Sequence, residues 1–376
     1  MRLKKLDATG KPYRIFAEYL DSGAIDQFVS VMEHDAIVRG ALMPDAHQGY
    51  SLPVGGVVAA QDMVFPAFVG YDIGCGVGAL PTSFRATDVR VTARAIFEGI
   101  YRRVPVGFEV NPHPVDCGLN ADDLSVLGRS AFDVRKGFRS IGSLGGGNHF
   151  IEVGADESER VWIIIHSGSR GAGHGVAQKF MQLASGDGKA REGCFGLRAD
   201  TDLGRSYAND QAWCLEFALA NREEILARVL SALSEQCEGE GDWSGLINRN
   251  HNHAEYKDGL WIHRKGATHA EDGMLGVIPG NMRDGSFIVR GKGNPESLRS
   301  SSHGAGRVLG RAKAKACLSA SEFEKTMRES GVVARVGQET LDESPMAYKD
   351  IFEVMQLQSE LVDVLHHVRP IVNVKG

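Results

Sequence analysis

No two cysteines of this 376-residue chain form a CxxC pair; Cys75, Cys117, Cys194, Cys214, Cys237 and Cys317 are scattered. That scatter excludes a zinc knuckle and favours reduced thiols over a disulfide framework, so any cysteine ligand must be recruited singly from a distance. Long apolar runs are missing as well. The longest, VGGVVAA from Val54 and VWIIIH from Val161, fall far short of the roughly 20 residues that a membrane span requires. The opening MRLKKLDATGKPYRIFAEYL carries charge without an apolar stretch and small-residue cleavage site, so no secretory signal is expected. These absences predict a soluble, cytoplasmic protein that does not engage a membrane. An overall positive charge is absent too. At a formal net charge of −6 the chain is not a non-specific coat for nucleic acid.

Glycine is abundant, with 46 residues gathered around positions 55–56, 70–78, 142–147, 168–175, 285–293 and 304–310. Such clusters mark tight turns and loops that approach a ligand closely. Most abut a short β-like run: VGGVVAA, HFIEV after Gly147, VWIIIH before Ser167, LWIH before Arg264, SFIVR before Gly291. Helical periodicity is strongest from Arg205 to Gln236, and further helices are expected over Val91–Arg103, Ser321–Ser330 and Ala347–Val364. Ser321 with Glu324 predicts a capping box. Strands and helices mix without regular alternation and no repeat or linker interrupts them. The expected class is α+β, one compact domain over residues 1–376, with irregular mixed sheets and flanking helices.

Several polar residues stand where a core-building sequence would not put them. Asp45 and His47 lie in PDAHQGY, Asp72 and Cys75 among glycines in DIGCGVG, and Asn148, His149 and Glu152 lead into a strand. His166 ends an apolar run, and His251 and His253 share NRNHNHAEY. Each alone is more readily a structural residue. Together, Asp72, Cys75, His149, His166 and His251 form a set of one carboxylate, one thiol and three imidazoles. That mixture suits Mn²⁺ or Zn²⁺ better than Mg²⁺, and five ligands exceed one tetrahedral site, which points to a dinuclear cleft.

The second half supplies groups that handle anions. Arg264 and Lys265 follow the LWIH run. Between Arg283 and Lys315, eight basic residues face two acidic ones, which is expected to make either a phosphate-facing surface or a solvated basic helix. No GxxxxGK[ST] loop is present, so this is not a Walker nucleotide site. His303 in SSSHGAGR could attack phosphorus, and Arg307 could neutralise the developing charge.

PDAHQGY, DIGCGVG, LGGGNHFIE, HSGSRGAGH, HRKGAT, GNPES, SHGAGR and AYKDI occur in the order seen in RtcB-type RNA ligases. The chain resembles that family nearly end to end. The resemblance implies metal ligands Asp72, Cys75, His149, His166 and His251 for two Mn²⁺ ions, with His253 as the alternative to His251. It implies His303 as the nucleophile guanylated by GTP, Asp45 orienting it, and nucleotide contacts from Asn148, Glu152, Asn252, Ser286, Tyr348 and Lys375. The substrate implied is RNA with a 3′-phosphate or 2′,3′-cyclic phosphate end and a 5′-hydroxyl end, in RNA repair or tRNA splicing, with an activating protein factor as an optional partner. Two departures stand out: the family's usual PGSMG is PGNMRDG here, and Ser301 replaces a common cysteine. The rival readings are a metal-dependent phosphodiesterase or phosphatase, which needs no GTP, and an inactive RNA-end binder.

Overall fold

The computed structural model of the chain describes residues 2–376. Its centre is the run Val161–Ile165. In the strand Arg160–Ser167 every residue after the first is buried, as expected of a strand covered on both faces. Side chains alternate along it. Val161, Ile163 and Ile165 join Ile151 and Val153 against Val89, Ile96, Ile100, Ile225, Leu226 and Val229 of the helices Ala86–Arg103 and Asp202–Ser234. Trp162 and Ile164 face the other way, onto Val77, Val277, Ile288 and Val368.

This strand belongs to a sheet whose order is Leu275–Pro279, Ser286–Gly291, Val362–Lys375, Phe150–Ala155, Arg160–Ser167, Gly76–Arg85, Ile247–Asn250. Those neighbours are all antiparallel. A short strand, Val333–Ala334, pairs parallel to Val362–Lys375. A second sheet runs Tyr13–Ile15, Ile37–His47, Val54–Ala60, Leu260–Lys265, Asn252–Lys257. Its Val57 and Ala59 pack on Phe287 and Val289 of the first sheet. Its Val58 and Ala60 pack on Phe28, Val31 and Met32 of the helix Ser22–Met32. The mixed α+β class expected from the sequence is the one observed. Each β-like run beside a glycine loop is a strand, and a cleft opens where the two sheets meet.

Two local expectations are corrected. The helix expected over Ala347–Val364 is only Ile351–Leu357, capped by Asp350. The chain turns at Gln358 and enters the strand Val362–Lys375, whose many β-branched valines favour a pleated, packed surface over a helix. The helix Ala320–Ser330 is capped by Ser319, not Ser321: the Ser319 hydroxyl accepts from Glu322 N–H at 3.3 Å, so the predicted Ser321–Glu324 box does not form. Among the described residues, no helix is long and apolar enough to cross a membrane.

Candidate active site

The cleft is a cavity of about 1010 Å³. It draws its lining from strand ends and glycine loops of both sheets. Cys75 sits where the loop after Gly70 enters the strand Gly76–Arg85, His149 precedes Phe150–Ala155, and His166 lies near the end of Arg160–Ser167. His251 is the single residue between Ile247–Asn250 of the first sheet and Asn252–Lys257 of the second. The chain therefore crosses between sheets at a candidate ligand.

These side chains converge. The Cys75 Sγ lies 3.5 Å from His149 Nε2 and 3.2 Å from His166 Nε2. Asp72 Oδ2 lies 3.1 Å from His149 Nε2, and His166 Nε2 lies 3.3 Å from His251 Nε2. His149 Nδ1 donates to the Leu144 carbonyl at 2.9 Å, which leaves its Nε2 lone pair facing the cluster. Burial, reinforced by neighbouring histidines, pushes the imidazoles of His166 and His251 well below their ordinary range. Burial and Asp72 push the Cys75 thiol well up. Ring nitrogens crowded around a thiol and a carboxylate form a mixed donor set that a borderline divalent transition-metal cation would satisfy.

His251 and His253 part company here. The new strand starts after His251, and alternation along it gives Asn252 to the cleft and turns His253 away, where it stacks on His269 at 4.8 Å and accepts from Arg264 Nη1 at 3.3 Å. His253, Glu255 and His269 are close enough to suggest a second cation site. The fully buried Arg264 guanidinium stands among them, bonded to Glu255 at 2.5 Å, and supplies the positive charge itself. The same alternation separates Arg264 from Lys265, which the sequence had grouped together. Lys265 faces the cleft, and burial lowers its ammonium to about 8 despite Asp72 and Cys75 nearby.

On the cleft wall His303 follows the strand Ser300–Ser302. Its Nδ1 donates to Asp45 Oδ2 at 2.7 Å, and the same oxygen accepts from the backbone N–H of His303 at 3.2 Å and of Gly304 at 3.3 Å. Asp45 is fully buried, and Lys349 Nζ grips the carbonyls on either side of it, Pro44 at 3.1 Å and Ala46 at 2.8 Å. Gly306 lets the loop settle over this pair: at φ +75° a Cβ there would stand 2.2 Å from the Asp45 carbonyl oxygen. The His303 and His251 rings lie 4.7 Å apart.

A polar network closes the far end. Glu343, which sequence reasoning missed, is its hub. Its carboxylate accepts from Lys375 at 2.7 Å, Tyr348 at 2.7 Å, Arg311 at 2.6 Å and Arg307 at 3.2 Å. Burial alone would raise this carboxyl, but Lys375 and Arg311 hold it at about 2. Beside it, burial raises Glu152 to about 8 against the pull of Ser286 and Lys375. Glu152 Oε1, Ser286 Oγ and Asn373 Oδ1 are buried without a hydrogen-bond partner, which is costly unless a ligand satisfies them. Asn148 is exposed and lines the cleft. Asn252 holds the loops together, donating to the Asp72 carbonyl at 3.2 Å and accepting from Gly266 N–H at 2.8 Å. In PGNMRDG, Asn281 and Arg283 both bond to Asp284, at 2.7 Å each, so the altered loop folds on itself.

Arg222, on the long helix, was also missed. It is fully buried and donates to Gly74 O and Ser167 O at 2.9 Å each and to Asn250 Oδ1 at 2.6 Å. Those residues adjoin Cys75, His166 and His251. One guanidinium thus ties three segments that carry candidate ligands. A signal was present: Arg222 falls in the helix's buried stripe, four residues after Ala218 and four before Leu226.

Six of the eight basic residues of the stretch are held in ion pairs. Arg283 pairs with Asp284, Lys292 with Asp363, Arg299 with Asp258, Arg307 and Arg311 with Glu343, and Lys315 with Asp342. Its local charge is largely offset by carboxylates brought in from elsewhere in the chain.

The family model described as "tRNA-splicing ligase RtcB" matches residues 27–131 and 119–376. The RNA-splicing ligase RtcB of Escherichia coli K12 is 36% identical over 371 residues, covering 89% of this chain and 90% of that protein. The tRNA-splicing ligase RtcB of Nanoarchaeum equitans is 30% identical over 422 residues, covering 89% and 87%. RtcB2 of E. coli ATCC 25922 is 29% identical over 384 residues, covering 95% and 93%. With seven of its eight motifs lining one cleft and these matches running along most of its length, the chain belongs to the RtcB family.

Proposed function

We propose that this protein is an RNA ligase joining an RNA 3′-phosphate or 2′,3′-cyclic phosphate end to a 5′-hydroxyl end, with GTP as the activating nucleotide. The observation that carries this reading is the buried Asp45–His303 pair, 2.7 Å apart, set beside a convergent cluster of mixed ligands. A carboxylate at Nδ1 holds the Nδ1–H tautomer and leaves Nε2 as a lone-pair donor. Asp72, Cys75, His149, His166 and His251 would hold two Mn²⁺ ions, which when bound supply positive charge against the phosphates.

The residues then have distinct tasks. His303 Nε2 forms a bond to the α-phosphorus of GTP as the bond to pyrophosphate breaks, and Asp45 stabilises the charge that develops on the ring. The guanylyl group passes to an oxygen of the RNA 3′-phosphate, which returns the histidine; a cyclic phosphate is first opened by water. The 5′-hydroxyl oxygen then bonds to the activated phosphorus, loses its proton, and GMP leaves. Arg307, fixed by Glu343 and the Asp342 carbonyl, faces the charge that accumulates. Glu152, Ser286, Tyr348 and Lys375, with Asn148 and Asn252 nearer the metal cluster, would contact the nucleotide, answering the orphaned buried oxygens.

Site residues come from Asp45 through Lys375, so we read residues 1–376 as one ligase domain. Free cysteines throughout suit a reducing cytoplasm. The role fits RNA repair or tRNA splicing, with or without an activating protein factor. The test is incubation with Mn²⁺ and α-labelled GTP beside His303→Ala. An acid-labile, alkali-stable covalent label absent from the variant is the expected result. No label on folded, metal-loaded wild-type protein would move the reading to a hydrolase.

A further inference from the structure

We infer that Tyr50, Tyr71 and His174 form a stacking platform for a terminal nucleobase of the RNA, an inference that rests on the ligase reading above. All three rings line the cleft. Tyr71 stacks on His174 with centroids 5.1 Å apart and planes 24° apart, and Tyr50 meets Tyr71 edge-on at 6.0 Å. Tyr50 is 57% exposed and His174 is exposed, so aromatic surface faces the open cavity where a core residue would have buried it.

The platform is held in place. Gln27 of the helix Ser22–Met32 donates to the Gly49 carbonyl at 2.8 Å and accepts from Gly49 N–H at 3.0 Å, and it also bonds the Tyr50 carbonyl. Tyr71 directly precedes the ligand Asp72. The ammonium of Lys265 lies 5.9 Å from the Tyr50 ring centroid, a cation placed for the phosphate attached to a stacked base.

Position decides which ligand the rings serve. A chain of contacts runs from Lys375 over Phe150 at 5.1 Å, to His166 at 5.7 Å, to Cys75 at 3.2 Å, and on to the Asp72 loop. The orphaned oxygens proposed to hold the guanine nucleotide lie at its first end. The aromatic trio adjoins the other, where Tyr71 precedes Asp72 and the Tyr50 ring stands beside Lys265. An RNA end that reacts at the cluster between them can lay its base on these rings while the guanine nucleotide occupies its own pocket. Stacking is indifferent to base identity, because every base has a π-face. It suits an enzyme that must seal ends of varied sequence, and single-stranded RNA ends are commonly held by such rings.

The experiment uses metal-loaded full-length protein and two single-stranded RNAs. One carries 2-aminopurine at its 3′-phosphate end and the other at its 5′-hydroxyl end. Stacking should quench the fluorescence of at least one. Tyr50→Leu and Tyr71→Leu should abolish that quench and weaken binding by about tenfold or more, whereas Tyr50→Phe should retain both. Thermal melting checks that each variant is folded, and His174→Leu serves as a further variant if one tyrosine change destabilises the loop. Absence of quench at both ends, or unchanged binding in folded Leu variants, would overturn the platform. Guanylation of wild-type protein by labelled GTP, run in parallel, reads the ligase assignment separately.

Discussion

The imidazole of His303 donates its Nδ1–H as a hydrogen bond to a carboxylate, Asp45, that has no exposure to solvent. That oxygen also receives two backbone N–H groups, so Asp45 fixes ring, loop and tautomer together. Asp45→Asn keeps the shape and removes the charge. Guanylation by labelled GTP should fall by about 10- to 100-fold, with circular dichroism unchanged. An unaltered guanylation rate would mean that the pair is structural only.

Arg222→Met should loosen the ligand cluster without touching a ligand. The carbonyls of Gly74 and Ser167 and the Asn250 amide oxygen lose their common donor. Affinity for Mn²⁺, or for Co²⁺ followed by its visible spectrum, should drop by about 10- to 100-fold. Arg222→Lys, which keeps the charge but not the fork, should recover only part of it. Metal titration of the folded variants decides the matter.

In the proposed nucleotide pocket, Glu152 should make GTP binding depend on pH. Burial raises its carboxyl to about 8, so it is mostly protonated in the empty site at neutral pH. Guanine presents N–H donors, and a carboxylate must accept them. Binding should therefore release a proton, and GTP affinity should rise with pH up to about 8 and then level off. Calorimetry at pH 7 in buffers of different ionisation enthalpy should reveal the release, and Glu152→Gln should abolish it. For folding the sign is opposite: a raised carboxyl pKa favours the folded state below about 4.5 and loses that advantage as pH climbs through about 8.

Glu343 behaves conversely. Held at about 2, its contribution to stability is present above its unfolded value and lost as pH falls through the folded one, on the order of 3 kcal/mol. Glu343→Gln leaves Lys375, Arg307 and Arg311 facing one another without their carboxylate. It should lower stability at pH 7 by about 3–5 kcal/mol and flatten the acid limb of the denaturation profile. Urea unfolding at several pH values would show both effects.

Much of this arrangement could be read before any coordinates. His166 announced itself as a polar residue ending the run VWIII, and the glycine loops marked where backbone must bend towards a ligand. Local pattern carries that kind of information. Glu343 did not announce itself, because QETLDES reads as a solvated acidic turn; only three cations from distant segments make it a hub. Arg222 was hidden among the charges of a long helix, although its phase placed it in the buried stripe. The last strand was half-concealed because Ala347–Val364 has helical spacing, and the valines beyond it find their partners only through long-range pairing. The ion pairs of the basic run from Arg283 to Lys315 were hidden for the same reason: most of its counter-charges lie elsewhere in the sequence.

That last strand has a consequence for biosynthesis. Val362–Lys375 lies between Ser286–Gly291 and Phe150–Ala155, inside the sheet and not at its edge. Until the ribosome has delivered it, those two strands have no common neighbour, and each leaves a row of unpaired amides and carbonyls exposed. This sheet therefore cannot be completed until residues 362–375 are available, and the two strands that flank them stay open to chaperones and to mispairing until then.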